Sequence, residues 1–595
     1  MHDDERKRLR LLAAVVVLFG MLFVGRLYML QIVHGDEFAK EADSQYVATV
    51  PNLYNRGNIY FKTKEGKKVA AATVNSGYVV AIDPKLIIDA EGVYKQMATV
   101  IPTLAHDEFV GKAAKKQDPY EEVATHVPEA AANELKAKKI PGVQVFRQTW
   151  RYYPGGNLAA QAIGFVAYQG DVLAGRYGLE SYYNDILTRN SENLYINFFA
   201  ELFRNFSDTI FDRTEDDTGD LSLTIEPTVQ AQLETELQSV MNDWHSDESG
   251  GIIMDPKTGA IYAMAVNPSF DLNDYGKVKQ VGLFANPIVQ DDREMGSIVK
   301  PLTMAAGLDA GVISESTTYN DTGHVTLNNK TFGNYDGKGR GPNTSMQTIL
   351  NDSLNTGAAF IVTKLGNARF ADYLLNKFHL GEETGIDLPG ERQGLMTNLS
   401  SKRDIEFATA SFGQGFAVTP INMIAALATL ANGGYTVSPH VVDEINYSSG
   451  KIKKLTQNPT EQVLKPQTSE RITRMLVTVV DKALLHGSVS IPEYSIAAKT
   501  GTAQIYRPAK EGGGYYEDRY LHTFFGYFPA YDPKFIVFMY TYDPKNATFA
   551  SHTLTMPFIR TAKFLLQYYA VPPDRASANK AGVGVTKTAP PIVTH

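Results

Sequence analysis

The chain has 595 residues, 44% apolar and 21% charged, enough to bury a large core and to divide into two or three domains. A formal net charge of -8 and a pI near 5.9 leave no basic footprint for nucleic acid, so that class of partner is set aside. With no cysteine there is no disulfide framework, no thiolate nucleophile and no Cys-ligated metal, and covalent catalysis must use another nucleophile.

Residues 1–10 are short and basic, with Arg6, Lys7, Arg8 and Arg10, and precede an apolar run from Leu11 to Val33 broken only by Arg26 and Gln31. At 1.5 Å per residue a helix over this run spans about 34 Å, enough to cross a bilayer. Asp36, Glu37, Glu41 and Asp43 follow, so the Lys/Arg bias predicts an N-terminus in the cytoplasm and a single-pass anchor with the rest of the chain outside. A cleaved signal peptide is the rival reading; the run exceeds a usual h-region and no A-x-A site follows it.

From 36 to 187 short strand-like runs such as Tyr78–Ile82 alternate with a lysine-rich helical stretch near Glu129 to Lys138, predicting an irregular α+β module. Residues 188–218 form a connecting segment. Within it Leu194, Phe198, Leu202, Phe206 and Ile210 recur every four residues, and Tyr195, Phe199 and Phe203 widen the stripe, which predicts an amphipathic helix from 193 to 211 covered by the module or by a protein partner.

A new domain is predicted over 219–570. Leu221–Ile225 alternates like a strand, and Leu233, Leu237, Val240, Met241 and Trp244 then share one helix face. Gly251–Met254 and Ala260–Ala265 read as strands joined through a hairpin at Asp255-Pro-Lys-Thr-Gly259. A long middle region, Pro301 to Leu430, is rich in helical patterns. Strands return at Ser495–Ala498, His522–Phe528 and Phe535–Tyr542, and a last helix at Met556–Tyr569. Strands at both ends with helices between them predict an α+β fold, an antiparallel sheet flanked by helices. Residues 571–595 are Pro, Ala, Lys and Thr rich and read as a disordered tail.

Three short motifs stand in order: Ser297-Ile-Val-Lys300, Ser353-Leu-Asn355 and Lys499-Thr-Gly501, continuing into Thr502-Ala503. Each has a decoy. Ser448 and Lys451 repeat the first, Ser191/Asn193 and Ser577/Asn579 the second, and Lys257-Thr-Gly259 the third. Context separates them. Ser297 follows Gly296 and opens a helical pattern, so Lys300 lies one turn on along the same face, and Pro301 is tolerable that early in a helix. A helix start also offers free N–H groups suited to an oxyanion. Ser448 sits in a polar turn and Lys257 in a hairpin, whereas Lys499 ends an apolar strand, Ile496–Ala498, whose edge would suit an extended peptide.

Serine with lysine three residues on, then S-x-N and K-T-G, is the motif set of penicillin-binding proteins and class A β-lactamases. The chain resembles the class B penicillin-binding proteins over roughly residues 10 to 570, through those motifs and Arg56-Gly57-x-Ile59, Arg151-Tyr-Tyr-Pro-Gly155, Gly178-Leu-Glu180, Leu223-Thr-Ile225 and Ser411-Phe-Gly-Gln-Gly415. Two positions depart from the family pattern: Phe61 stands where an Asp is usual, and Met295 where a Pro is usual. Neither disturbs the Ser/Lys spacing. Tyr153-Pro-Gly-Gly156 and the Ser411 stretch lean toward the septal, cell-division type over the elongation type.

The resemblance implies a membrane anchor, a non-catalytic pedestal of the dimerisation type and a penicillin-recognising serine transpeptidase domain. It implies a D,D-transpeptidase that cross-links peptidoglycan stem peptides through an acyl-enzyme on Ser297, binds β-lactams and needs no cofactor. No G-x-S-x-G elbow or H-E-x-x-H is present, so Lys300 must serve as base, neutral and lowered in pKa by burial beside Lys499. By the same resemblance Ser353 relays the proton to the leaving D-alanine and Asn355 holds the donor peptide. Thr500 and Thr502 bind the terminal carboxylate with Lys499 supplying charge, Gly501 between them is part of the same substrate-binding motif, and the N–H groups of Ser297 and Thr502 form the oxyanion hole. A chain of this class has no polymerase of its own, which implies a polytopic SEDS-type glycosyltransferase and the division or elongation machinery as partners. A D,D-carboxypeptidase, a β-lactam-binding sensor, a bifunctional synthase and a non-catalytic division scaffold are the alternatives. The long pedestal argues against a β-lactamase.

Overall fold

The computed structural model describes residues 55–169, 172–189, 218–455 and 461–575, together with Met21. Residues 11–33, Met21 aside, the segment 193–211 and the tail beyond 575 lie outside the described residues, and with them the expected anchor, amphipathic helix and disorder. No helix among the described residues is long and apolar enough to cross a membrane.

The described residues fall into two compact units. The smaller is built from Val74–Trp150, the larger from Arg56–Thr73, Arg151–Arg189 and the chain from 218 on, so the stretch expected to form one pedestal is shared between them. In the smaller unit the second half of strand Lys68–Ile82 pairs antiparallel with Glu121–Val127, Tyr78 opposite Val127. Helices Ala90–Ala98, His106–Ala113 and Glu129–Lys138 bury Met97, Phe109 and Leu135 against Val80 and Ile82. Asp89 caps the first of these by accepting from Gly92 N–H.

In the larger unit the segments quoted from either side of the chain converge. Ile59–Lys62 pairs parallel with Gly219–Leu223, which pairs antiparallel with Val442–Tyr447. Beside this sheet Glu180 receives two guanidiniums, Arg56 Nε at 2.6 Å and Arg151 Nε at 2.5 Å, and Arg151 also donates to Gly57 O. All three side chains are buried, a placement tolerated only for paired and hydrogen-bonded charges. Phe61, where the family pattern has Asp, lies in the apolar core with Ile59 and Leu221.

The main sheet has five antiparallel strands: β1 (Glu248–Met254), β2 (Ile261–Asn267), β3 (Ala497–Tyr506), β4 (Tyr515–Phe528) and β5 (Phe535–Tyr542), in the order β3-β4-β5-β1-β2. Both faces are covered, so the strands read as continuous apolar runs whose alternate residues serve two cores. Ile253, Phe524, Val537 and Met539 pack with helices α1 (Pro227–Trp244) and α5 (Thr555–Tyr568) through Leu233, Leu237, Phe558 and Leu565. Ile252, Phe525, Ile536 and Phe538 belong to the opposite core with Ile298, Leu302 and Met304. That core holds α2 (Lys300–Asp309), all ten residues of which are buried, α3 (Asn355–Leu365) and α4 (Pro420–Ala431). Glu226 caps α1 through Val229 N–H, with Pro227 at the first helical position.

Two expectations needed correction. Strand β3 does not end at Lys499 but runs through the motif to Tyr506, carried by ladder hydrogen bonds to β4 although its later residues are small and polar. The middle region is not helical throughout. Thr318–Asp321 pairs with Gly341–Ser345, and His324–Leu327 with Lys330–Gly333 across an Asn328-Asn329 turn with φ of 47° and 62°. These strands are four or five residues long with little apolar alternation, and the paired asparagines, which tolerate positive φ, were the available signal.

Candidate active site

Ser297 lies in a 3₁₀ turn, Gly296–Val299, that leads straight into α2. The turn is held between the edge strand β3 and the Ser411–Gly415 segment. Gly296 has φ +64° and its N–H donates to Gly413 O at 3.0 Å; a Cβ on Gly296 would stand 2.7 Å from Thr502 O. Gly413, with φ +82°, would drive a Cβ to 2.1 Å from Gly296 O. The two glycines therefore allow three pieces of backbone to meet behind the serine. Thr303 Oγ1 on α2 donates to Ser411 O, and Glu294 accepts from Gly415 N–H and Tyr515 Oη. Met295 is buried and its carbonyl accepts from Thr523 Oγ1 at 2.9 Å.

Lys300 is 1% exposed, and its Nζ has four oxygen neighbours: Ser353 O at 2.6 Å, Asn355 Oδ1 at 2.8 Å, Ser297 Oγ at 3.0 Å and Ser353 Oγ at 3.1 Å. Ser353 holds its place in a left-handed conformation, φ +55°, just before α3. Asn355 begins α3. Its Nδ2 donates to Gly333 O at 2.8 Å, which turns Oδ1 toward the lysine. Lys499, 3% exposed on β3, donates to Ser353 Oγ at 3.1 Å and Thr500 O at 3.0 Å. The two buried amines thus share the oxygen of Ser353.

Burial holds Lys300 well below the usual lysine range, and the charge of Lys499 pushes it the same way. Lys499 is itself lowered by burial to about 8, and no carboxylate counters either shift. The hydrogen-bond inventory accommodates the neutral form. A neutral amine has two N–H groups and one lone pair. Ser353 O and Asn355 Oδ1 are carbonyls that can only accept, so they take both N–H groups and leave the lone pair for a hydroxyl, with Ser297 Oγ in reach.

Ser297, Ser353, Asn355, Lys499, Thr500 and Thr502 line one cleft of about 870 Å³. Gly501 lies behind it: a Cβ there would approach Thr523 Oγ1 to 2.3 Å and Met295 O to 2.8 Å, so the residue lets β3 close on the 3₁₀ turn. The decoys fall elsewhere. Ser448 is exposed in a hairpin, Lys257 pairs with Asp532, and Ser191, Asn193, Ser577 and Asn579 lie outside the described residues. Sequence reasoning missed the glycine pair Gly296/Gly413, the aromatic rim of Tyr335 and Phe549, whose rings meet 5.5 Å apart, and Ala550, whose N–H donates to Thr502 Oγ1 at 3.1 Å. The glycines carried a signal, in the Ser411–Gly415 motif; the other residues are distant in sequence and carried none.

A serine on a helix start, a buried lysine one turn on and a K-T-G edge strand on a five-stranded antiparallel sheet define the class of active-site-serine acyl-transfer proteins. The family model for the penicillin binding protein transpeptidase domain matches residues 250–560, and that for the penicillin-binding protein dimerisation domain matches residues 52–195. The chain belongs to the penicillin-binding protein transpeptidase family. It is 29% identical over 562 residues to stage V sporulation protein D of Bacillus subtilis strain 168, covering 93% of this chain and 84% of that protein. It is 26% identical over 561 residues to the peptidoglycan D,D-transpeptidase FtsI of Escherichia coli K12, covering 92% and 90%. Among solved structures, penicillin binding protein 3 of Mycobacterium tuberculosis complexed with aztreonam superposes with a TM-score of 0.66 at 23% identity over 88% of this chain and 98% of that one. Penicillin binding protein 2X of Streptococcus thermophilus gives 0.69 at 17% identity, over 88% and 81%. At those identities the likeness is one of fold.

Proposed function

We propose that the chain is a serine D,D-transpeptidase that cross-links peptidoglycan stem peptides during cell-wall synthesis, with Ser297 as nucleophile and Lys300 as its base. The observation that carries the assignment is Lys300 Nζ, buried, depressed in pKa and 3.0 Å from Ser297 Oγ with both N–H groups taken by carbonyls. In this reading Lys300 takes the Ser297 proton as Oγ attacks the penultimate D-alanine carbonyl carbon. The N–H groups of Ser297 and Thr502 stabilise the resulting oxyanion. The proton passes by way of Ser353 to the nitrogen of the departing D-alanine, leaving an acyl-enzyme. An amine of a neighbouring stem peptide then attacks the ester, forms the new amide and returns Ser297 to its hydroxyl; water in its place would give carboxypeptidase activity. Thr500, Thr502 and the charge of Lys499 bind the terminal carboxylate, and Asn355 meets the donor peptide.

Residues 11–33 are read as a single-pass anchor with the N-terminus in the cytoplasm and the catalytic domain outside, 36–187 as a pedestal, 188–218 as a connector and 219–570 as the transpeptidase domain. What supports the anchor is the basic residues before a 23-residue apolar run. The lean of the sequence motifs supports a septal role over an elongation one, and the absence of a polymerase in chains of this class supports a polytopic SEDS-type glycosyltransferase of the division or elongation machinery as partner.

Fluorescent penicillin applied to the detergent-extracted chain tests the central assignment. The adduct is expected on Ser297 by mass spectrometry and absent from Ser297→Ala with an unchanged melting curve. Persistent labelling of that variant, or an adduct on another serine, would show the nucleophile to be misassigned.

A further inference from the structure

His522 is a fully buried histidine close to the site that the proposed chemistry does not use. It lies on β4 directly opposite Thr502 of β3, so the two side chains leave the sheet on the same side. Its Nδ1 stands 2.9 Å from Thr553 Oγ1, in the short helix Ala550–Thr553 that follows β5. Thr553 Oγ1 donates to Ala550 O at 3.3 Å, and Ala550 N–H donates to Thr502 Oγ1 at 3.1 Å. The imidazole is therefore linked to the edge-strand threonine by hydrogen bonds to the two main-chain groups of Ala550.

The direction of these hydrogen bonds follows from counting protons. Thr553 has one hydroxyl proton; with it given to Ala550 O, the hydroxyl accepts from His522, which is the tautomer with the proton on Nδ1. Burial holds the ring neutral, its pKa pushed down to about 4, with the nearby His552 acting in the same sense and the Thr548 main chain opposing. At the far end Thr502 Oγ1 already accepts the Ala550 N–H. Its own proton cannot point there and is free to face the cleft that Thr502 lines. An apolar side chain in place of His522 would fill the same space without burying two ring nitrogens.

We propose that His522 is a positioning residue which, through Thr553 and the Ala550 main chain, fixes the Thr502 hydroxyl as a donor toward the substrate's terminal carboxylate. This rests on the reading of Thr502 as a carboxylate-binding residue. Thr502 touches the substrate; His522 does not, and acts only by holding the segment that orients it.

Acylation rates of the full-length detergent-solubilised protein, measured on two thioester substrates that differ only in a free terminal carboxylate or its primary amide, test the proposal. His522→Leu is expected to lose about tenfold in acylation efficiency on the carboxylate, mainly in substrate affinity, and to stay within about twofold on the amide. Thr553→Val should reproduce that loss, and the double variant should be no worse than either single one. His522→Asn, which keeps an N–H at the same bond distance from the main chain, should recover most of the activity. Thr502→Val is the reference. If it leaves the carboxylate preference intact, the reading of Thr502 fails and the proposal with it. If Thr502→Val abolishes the preference while His522→Leu and Thr553→Val retain it, or if those two lose equally on both substrates, His522 has no positioning role. Should His522→Leu fail to fold, Thr553→Val and His522→Asn decide the matter by the same preference.

Discussion

Lys300 and Lys499 direct their amines to one oxygen, Ser353 Oγ, each at 3.1 Å. Two ammonium groups at that spacing inside a buried site repel one another, and burial together with the charge of Lys499 holds Lys300 as the neutral one. On the proposed mechanism the pair divides the work: Lys300 takes a proton, and Lys499 keeps a charge for an anion up to a pH near its own lowered pKa.

Asn355→Asp should undo that division. A carboxylate 2.8 Å from Lys300 Nζ in place of the amide oxygen favours the charged amine and raises its pKa. Acylation at neutral pH is expected to fall about 100-fold and to recover partly as pH rises, the acidic limb of the rate profile moving upward. A stopped-flow profile with a chromogenic β-lactam reads this. A uniform loss at every pH would instead mean that Asn355 acts only on the peptide.

The lowered pKa of Lys499 has a consequence for stability. Its folded value, about 8, lies below the ordinary lysine value of 10.5, so between those limits the unfolded chain binds more protons and stability rises with pH. Compared with Lys499→Met, the wild type should gain at most about 1.4 kcal/mol per pH unit across that window, measured by denaturant unfolding. The same titration predicts that acylation by carboxylate-bearing substrates declines above about pH 8 as the charge is lost. Parallel stability curves for the two proteins would place the Lys499 pKa in its ordinary range.

Gly413→Ala should damage the nucleophile without touching the cleft. The added Cβ meets Gly296 O at 2.1 Å in a backbone conformation that alanine disfavours, so the turn bearing Ser297 must move. A cost of about 2 kcal/mol in stability and a loss of penicillin acylation of more than about tenfold are expected. Wild-type acylation in a folded variant would show that the turn is held by other contacts.

Glu180→Ala should unfold rather than inactivate. It leaves the buried Arg56 and Arg151 guanidiniums without their carboxylate, and a break of this kind costs about 3–5 kcal/mol. Differential scanning calorimetry should register a marked drop in Tm, while the fraction still folded at low temperature acylates normally. An unchanged Tm would mean that the triad contributes nothing to the fold.

The sequence alone determined the strands of the main sheet that carry apolar runs, the helix from Glu129 to Lys138 and the local geometry of Ser297 and Lys300, because these depend on residues within one or two turns of each other. It also separated Ser297 and Lys499 from their decoys, since a polar turn and a hairpin announce themselves locally. The tertiary structure alone decided what lies across the chain. That Lys300 spends its N–H groups on Ser353 O and Asn355 Oδ1, that Gly413 makes room behind Gly296, and that one carboxylate, Glu180, joins two arginines 95 positions apart all depend on packing between distant segments. So does the extension of β3 past Lys499, where residues of no apolar pattern are held as strand by the ladder of β4. Local periodicity reports which face of an element is buried, and it is silent about which distant backbone that face will meet.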